Sequence, residues 1–214
     1  LHFGAVVQHV VRHDAVHHVT EAGDAVAAHF LGHDRFVAHV ATDTAVLGRD
    51  VRAQQADFAS LAPQLTVDVV LLASPPGFRP THLRAAVEAG KHIFCEKPMA
   101  TDAPGVRSVM ESVRMAKEQS LALVAGFCWR YDYPLRELFK RIHDGQIGDV
   151  RAIYGTYLTG PVKPMPPANT RKPGTTDLEW MIANWYNFNW LGGDGFVEQA
   201  VHTCDWLGWV MKDV

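Results

Sequence analysis

Gly90-Lys91-His92-Ile93-Phe94-Cys95-Glu96-Lys97-Pro98-Met99-Ala100 is the stretch on which the fold turns. Its centre, residues 92–95, is a short apolar run that reads as a strand, with an ionisable pair at the strand's carboxyl end. Open parallel sheets bind ligands outside the carboxyl ends of their strands, so Lys97 is placed to reach a substrate. Pro98 restricts its neighbour and can take the cis form, which fixes where the lysine points. Alone, Glu96-Lys97-Pro98 also reads as a surface ion pair before a loop proline. Its surroundings decide between the two.

Upstream, Val67-Asp68-Val69-Val70-Leu71-Leu72-Ala73 is an almost continuous apolar run, as in a strand buried on both faces. Ser74-Pro75-Pro76-Gly77 ends it, and a helix fits residues 80–88 with Leu83, Ala86 and Val87 on one side and Gly90 as its stop. Downstream, Thr101 or Asp102 caps a helix that runs to about Gln119, with Val106, Val109, Met110, Val113 and Met115 as apolar positions. Residues 121–127 read as another buried strand. Strand, helix and strand in alternation predict a parallel sheet with right-handed crossovers. A further helix fits residues 134–143, and the alternation over 150–159 suggests a half-exposed strand of a second sheet. Residues 160–176, rich in Pro, Thr and Gly, form a long loop. Residues 177–191 carry Trp180, Trp185, Tyr186 and Trp190, which reads either as core or as a substrate-stacking surface. The last helix spans about 195–211.

Composition narrows the function. The chain of 214 residues is 48% hydrophobic and 20% charged with a net charge of −3, so no nucleic-acid or anionic-membrane partner is expected. No apolar run approaches a membrane span. Leu1-His2-Phe3-Gly4 shows no leader, so a cytoplasmic location is expected, although a chain without an initial Met leaves export open. Cys95, Cys128 and Cys204 are far apart and read as reduced, mostly buried thiols. The first 90 residues lack Lys, Ile, Met, Asn, Trp, Tyr and Cys, and eight of the twelve histidines lie in the first 39. That bias raises the hypothesis that roughly the first 57 residues are an out-of-frame reading of a GC-rich gene. His9, His13 and His17, and likewise His29 and His33, have a helical metal-binding spacing. No Cys, Asp or Glu completes a ligand set, so no metal is expected.

Four signals then fall in order. Ser74-Pro75-Pro76, with His82 beyond, follows one strand; Glu96-Lys97-Pro98 follows the next; Arg130, in Phe127-Cys128-Trp129-Arg130-Tyr131, follows the third. Gly192-Gly193 precedes Glu198, His202 and Asp205, which are four and three residues apart and share one helix face. Over about residues 60–214 this resembles the glucose–fructose oxidoreductase, inositol dehydrogenase and rhizopine-catabolism (Gfo/Idh/MocA) family. The resemblance implies an α/β chain: a Rossmann-type doubly wound parallel sheet over residues 1–125, then a truncated α/β (α+β) domain with an open sheet from 126 to 214. It implies NAD or NADP as cofactor, a sugar or polyol as substrate, and a homo-oligomer for the full-length protein. It places Ser74, Pro75, Pro76, His82, Glu96, Lys97 and Arg130 at the cofactor. Lys97 would hold the reacting hydroxyl, and His202 would be the general acid/base. Glu198 stands where the family usually has Asp, and Asp205 and Trp185 lie on the substrate side. Two alternatives stay open: an NAD-dependent glycosidase of the same fold, and a non-catalytic remnant.

The chain also departs from the family. A dinucleotide fingerprint needs Gly-x-Gly-x-x-Gly, yet Gly4, Gly23, Gly32 and Gly48 are never two apart. The sequence therefore reads as a fragment, damaged at the front and truncated at the back, with weak dinucleotide affinity.

Overall fold

The computed structural model describes residues 37–40, as backbone, and 68–212. The histidine pairs of the first 33 residues and the glycines up to Gly48 lie outside the described residues. Four strands, β1 (Val37–Val40), β2 (Val69–Leu72), β3 (His92–Cys95) and β4 (Leu123–Ala125), form one sheet in the order of the sequence. All neighbours are parallel, with Val40 opposite Leu72, Leu72 opposite Cys95, and Cys95 opposite Ala125. Helix α1 (Arg79–Glu88) joins β2 to β3, and α2 (Ala103–Glu118) joins β3 to β4. The two helices pack on each other and so share a face of the sheet.

Val70, Leu72, Ile93 and Cys95 alternate inward and meet Leu83, Ala86 and Val87 of α1 and Val109 and Ala116 of α2. A fully buried Leu or Val contributes about 1.5–3 kcal/mol, so this layer dominates the stability of the region. The Asp102 carboxylate accepts a hydrogen bond from Gly105 N at 2.7 Å and starts α2. Between the alternating core positions Val69 and Leu71 are half-buried. The strand expected over 121–127 shrinks to three residues. Among the described residues it pairs with β3 alone, and Val124 is 38% exposed, as at a sheet edge.

Beyond the sheet lie α3 (Tyr133–His143), α4 (Asp177–Ala183), the short α5 (Asn189–Gly192) and α6 (Val201–Val210). Phe196–Ala200 is a π-helical turn leading into α6, so the helix expected over 195–211 is not uniform. Asp194 accepts hydrogen bonds from Phe196 N and Val197 N and caps this turn. Helix α4 was hidden from a reading based on apolar periodicity; a reciprocal capping box of Thr176 and Glu179 starts it. The strand expected over 150–159 does not form, because among the described residues no strand lies beside it to complete a ladder. The segment instead crosses α6: Thr203 Oγ1 donates to Thr156 O at 3.4 Å, and the Tyr157 hydroxyl donates to Gln199 Oε1 at 2.6 Å. Its alternate residues Tyr154 and Leu158 are each 92% exposed.

Of the cysteines only Cys95, in the core strand, is buried; Cys128 and Cys204 are exposed, contrary to the expectation of mostly buried thiols. Cys128 lies in the loop after β4, and Cys204 lies off the inward face of α6. Among the described residues, no helix is long and apolar enough to cross a membrane.

Candidate active site

Parallel strands put their carboxyl ends on one edge, and this edge carries Ser74, Glu96-Lys97-Pro98 and the 127–131 loop. Helix α6 and its preceding turn are fastened there by two ion pairs. Lys97 Nζ donates to Glu198 Oε1 at 2.8 Å and to the Glu198 carbonyl at 2.5 Å. Seven residues on, Arg130 Nε lies 3.0 Å from both carboxylate oxygens of Asp205, and Arg130 Nη2 lies 3.0 Å from Oδ1. The Arg130 guanidinium also lies over the Trp209 ring, 5.2 Å from its centroid. The spacing of Glu198, His202 and Asp205 thus delivers both carboxylates to the sheet edge, with the histidine between them.

His202 is 8% exposed. It lies against Trp129 at 4.7 Å between ring centroids and edge-on to Phe127 at 6.1 Å. Burial, reinforced by the nearby Lys97 ammonium, pushes its pKa down to about 4, while Asp205 pulls the other way. The imidazole is therefore neutral at pH 7. Burial raises the Glu198 pKa, and the hydrogen bond and charge of Lys97 restrain it. Glu198 Oε2 is buried without a partner among the described residues.

Glu96 turns back on its own loop, where Oε2 accepts from Lys97 N at 3.2 Å. The carboxylate lies against Gly126, where an added Cβ would come within 2.8 Å of Oε2. Burial raises the Glu96 pKa, and the charge of Arg79 opposes that rise. The Lys97-Pro98 peptide is cis. At the next strand end, Ser74 Oγ and His82 Nδ1 are 3.0 Å apart in the interior. Burial, with help from the Arg79 charge, pushes His82 down to about 4. Ser74, Pro75 and Pro76 are all buried.

Trp185 packs beside a second apolar cluster of Phe78, Ile182 and Leu191, and its ring lies 5.4 Å from that of Tyr186. Lys97, Glu198 and His202 thus come together, and Arg130 and Asp205 pair beside them. Ser74 and His82 form a separate buried pair at the neighbouring strand end. Sequence reasoning missed Trp129, which covers His202, and Arg79, which lies under the Glu96-Lys97-Pro98 loop. Trp129 adjoins Arg130 and was within reach of a motif reading. Arg79 was not, because arginine is mostly a surface residue.

The model of the oxidoreductase family with the NAD-binding Rossmann fold, GFO_IDH_MocA, matches residues 2–127. That match runs through the compositionally biased first 57 residues, and β1 within them pairs in the sheet; both favour an in-frame reading. Inositol 2-dehydrogenase 3 of Saccharopolyspora erythraea is 40% identical over 82 residues, covering 38% of this chain and 24% of that protein. The inositol 2-dehydrogenase of Rhizobium meliloti is 31% identical over 138 residues, 64% of this chain and 40% of the relative. An oxidoreductase domain protein from Kribbella flavida shares the fold at a TM-score of 0.61 with 21% identity, over 82% of this chain and 44% of that one. The chain thus spans less than half the length of these relatives. The parallel sheet, the helices that connect its strands and the matched residues together show that this chain belongs to the Gfo/Idh/MocA oxidoreductase family, with its NAD-binding Rossmann fold.

Proposed function

We propose that this chain carries the reacting groups of an NAD- or NADP-dependent dehydrogenase that oxidises a hydroxyl-bearing carbon of a sugar or polyol. The observation that carries the reading is the convergence of Lys97, from a strand end, with the turn and helix bearing Glu198 and His202. The donor set fits such chemistry: one cation to face an alkoxide and one neutral imidazole to take a proton. When bound, the nicotinamide supplies the hydride acceptor. The inositol 2-dehydrogenases among the relatives support a polyol as substrate.

The protein's part is positioning and proton movement. An ammonium has three N–H bonds, and Glu198 takes two from Lys97. The third is the donor for the substrate oxygen. As the hydroxyl loses its proton, the ammonium stabilises the developing negative charge. His202, neutral because of burial and Lys97, accepts that proton at its ring nitrogen. Glu198 orients Lys97 and takes no proton from the substrate. Trp129 and Phe127 shield the imidazole from water. Ser74, Pro75, Pro76, Glu96 and Arg130, the last paired with Asp205, lie at the carboxyl edge of the sheet and would hold the cofactor there.

Incubation of the chain with a panel of polyols and aldoses, myo-inositol included, tests this. NAD or NADP is supplied at about 5 mM, above the usual KM range. Polyol-dependent appearance of reduced nicotinamide, lost in Lys97→Ala, is the expected result. A folded chain that reduces neither cofactor with any member of the panel overturns the reading.

A further inference from the structure

Arg79 is the most conspicuous charge that the reaction leaves without a task. It sits in the first turn of α1, two residues after Gly77, and is only 4% exposed. Its Nη1 donates to Glu96 O at 3.0 Å and to Pro98 O at 2.7 Å. These are the carbonyls on either side of Lys97. One terminal nitrogen with two hydrogens thus bridges the backbone across the reacting lysine. The Nε has no partner among the described residues, so the guanidinium is placed for the loop rather than for its own full satisfaction.

The opposite end of Lys97 is held by Glu198. Arg79 fixes where the side chain starts, and Glu198 fixes where the ammonium ends. A lysine carries four rotatable bonds and much rotamer entropy, so a reactive position needs both ends held. The charges also balance: Arg79 and Lys97 lie among the half-buried Glu96 and the buried Glu198, and the Arg79 charge works on both to keep them ionised. An apolar side chain at position 79 could keep neither the two carbonyls nor this balance.

We propose that Arg79 is a positioning residue that clamps the backbone on both sides of Lys97 and so presets the ammonium against Glu198. The functional consequence rests on the dehydrogenase reading, but the clamp itself is testable without cofactor or substrate. Wild type, Arg79→Leu and Arg79→Lys are pulse-labelled with an amine-acetylating reagent, and acetylation at Lys97 and at the exposed Lys117 is read by peptide mass spectrometry. Circular dichroism verifies that each is folded. Lys97 acetylation should rise roughly three- to tenfold in Arg79→Leu, and less in Arg79→Lys, while Lys117 stays constant, because local opening governs access to a held group. If Arg79→Leu does not fold, a rise in Arg79→Lys is still required. Unchanged Lys97 labelling in a folded variant overturns the clamp. Labelling that responds in a chain that reduces no dinucleotide supports the clamp and removes only the dehydrogenase reading. Where wild type does turn over, Arg79→Lys should lower kcat with little change in cofactor KM. An equal loss through cofactor KM alone would contradict positioning of Lys97.

Discussion

Lys97 and Glu198 form a close ion pair with side chains only 13% and 9% exposed, and that burial makes them interdependent. Removing one partner strands the other charge in the interior, which is the costly way to break such a pair. Lys97→Met should therefore destabilise the chain by about 3 kcal/mol, read from urea unfolding. Glu198→Gln should cost about 1–2 kcal/mol, because the amide oxygen still accepts from Lys97. Equal costs for the two would contradict a charged pair. His82 makes a separate prediction about pH. Burial lowers its pKa from 6.5 to about 4, so between those values the unfolded chain binds a proton that the folded chain does not. The stability from its neutral contact with Ser74 is then fully present above about pH 6.5 and is lost as pH falls toward 4. The stability difference between wild type and His82→Gln should narrow by up to about 3 kcal/mol from pH 7 to pH 4. A constant difference would mean that His82 titrates normally in the folded chain.

At the scale of elements, the parts legible in the sequence were those with local signals. The apolar runs before Ser74 and Glu96 predicted β2 and β3, and Asp102 with the periodic positions after it predicted α2. Residues 150–159 misled because alternation shows which side chains share a face, not whether a neighbouring strand exists. Helix α4 was missed because it is short and aromatic, although Thr176-Asp177-Leu178-Glu179 carried its capping signal. Docking between elements carried no local signal, and only the family resemblance put Lys97 and His202 at one substrate oxygen. Gly77 illustrates this: a Cβ there would come within 2.3 Å of the Trp190 carbonyl, so α5 closes directly onto the backbone of the turn after β2. Gly77→Ala must push α5 away, and backbone cannot yield as a flexible side chain does. It should cost about 1–3 kcal/mol in urea unfolding and raise the exposure of Trp190 by fluorescence quenching. Wild-type stability in Gly77→Ala would contradict that close approach.

Across the described residues, the site is a clasp between the sheet edge and α6 with its preceding turn, made at Lys97–Glu198 and Arg130–Asp205. Its members were legible because each is a polar residue at a strand end or on one helix face. Their pairing was not, since a bond between positions 101 residues apart leaves no mark in local sequence. Arg79 was illegible for the same reason. The missing glycine fingerprint concerns residues outside those described, and it makes a prediction of its own: calorimetric titration should give dissociation constants for NAD and NADP weaker than about 100 µM, since glycine-turn amides supply much of a pyrophosphate site. Micromolar affinity would show that another backbone segment supplies those amides. The central claim is that Lys97 and His202 act together on one substrate oxygen. Its most direct test is the turnover of Lys97→Ala, His202→Ala and the double variant with a polyol accepted by the wild type, at saturating cofactor. Each single change should lower turnover by about 10²–10⁴, and the double variant should be scarcely slower than the worse single one. Near-full turnover in His202→Ala, or losses that multiply in the double variant, would contradict the account.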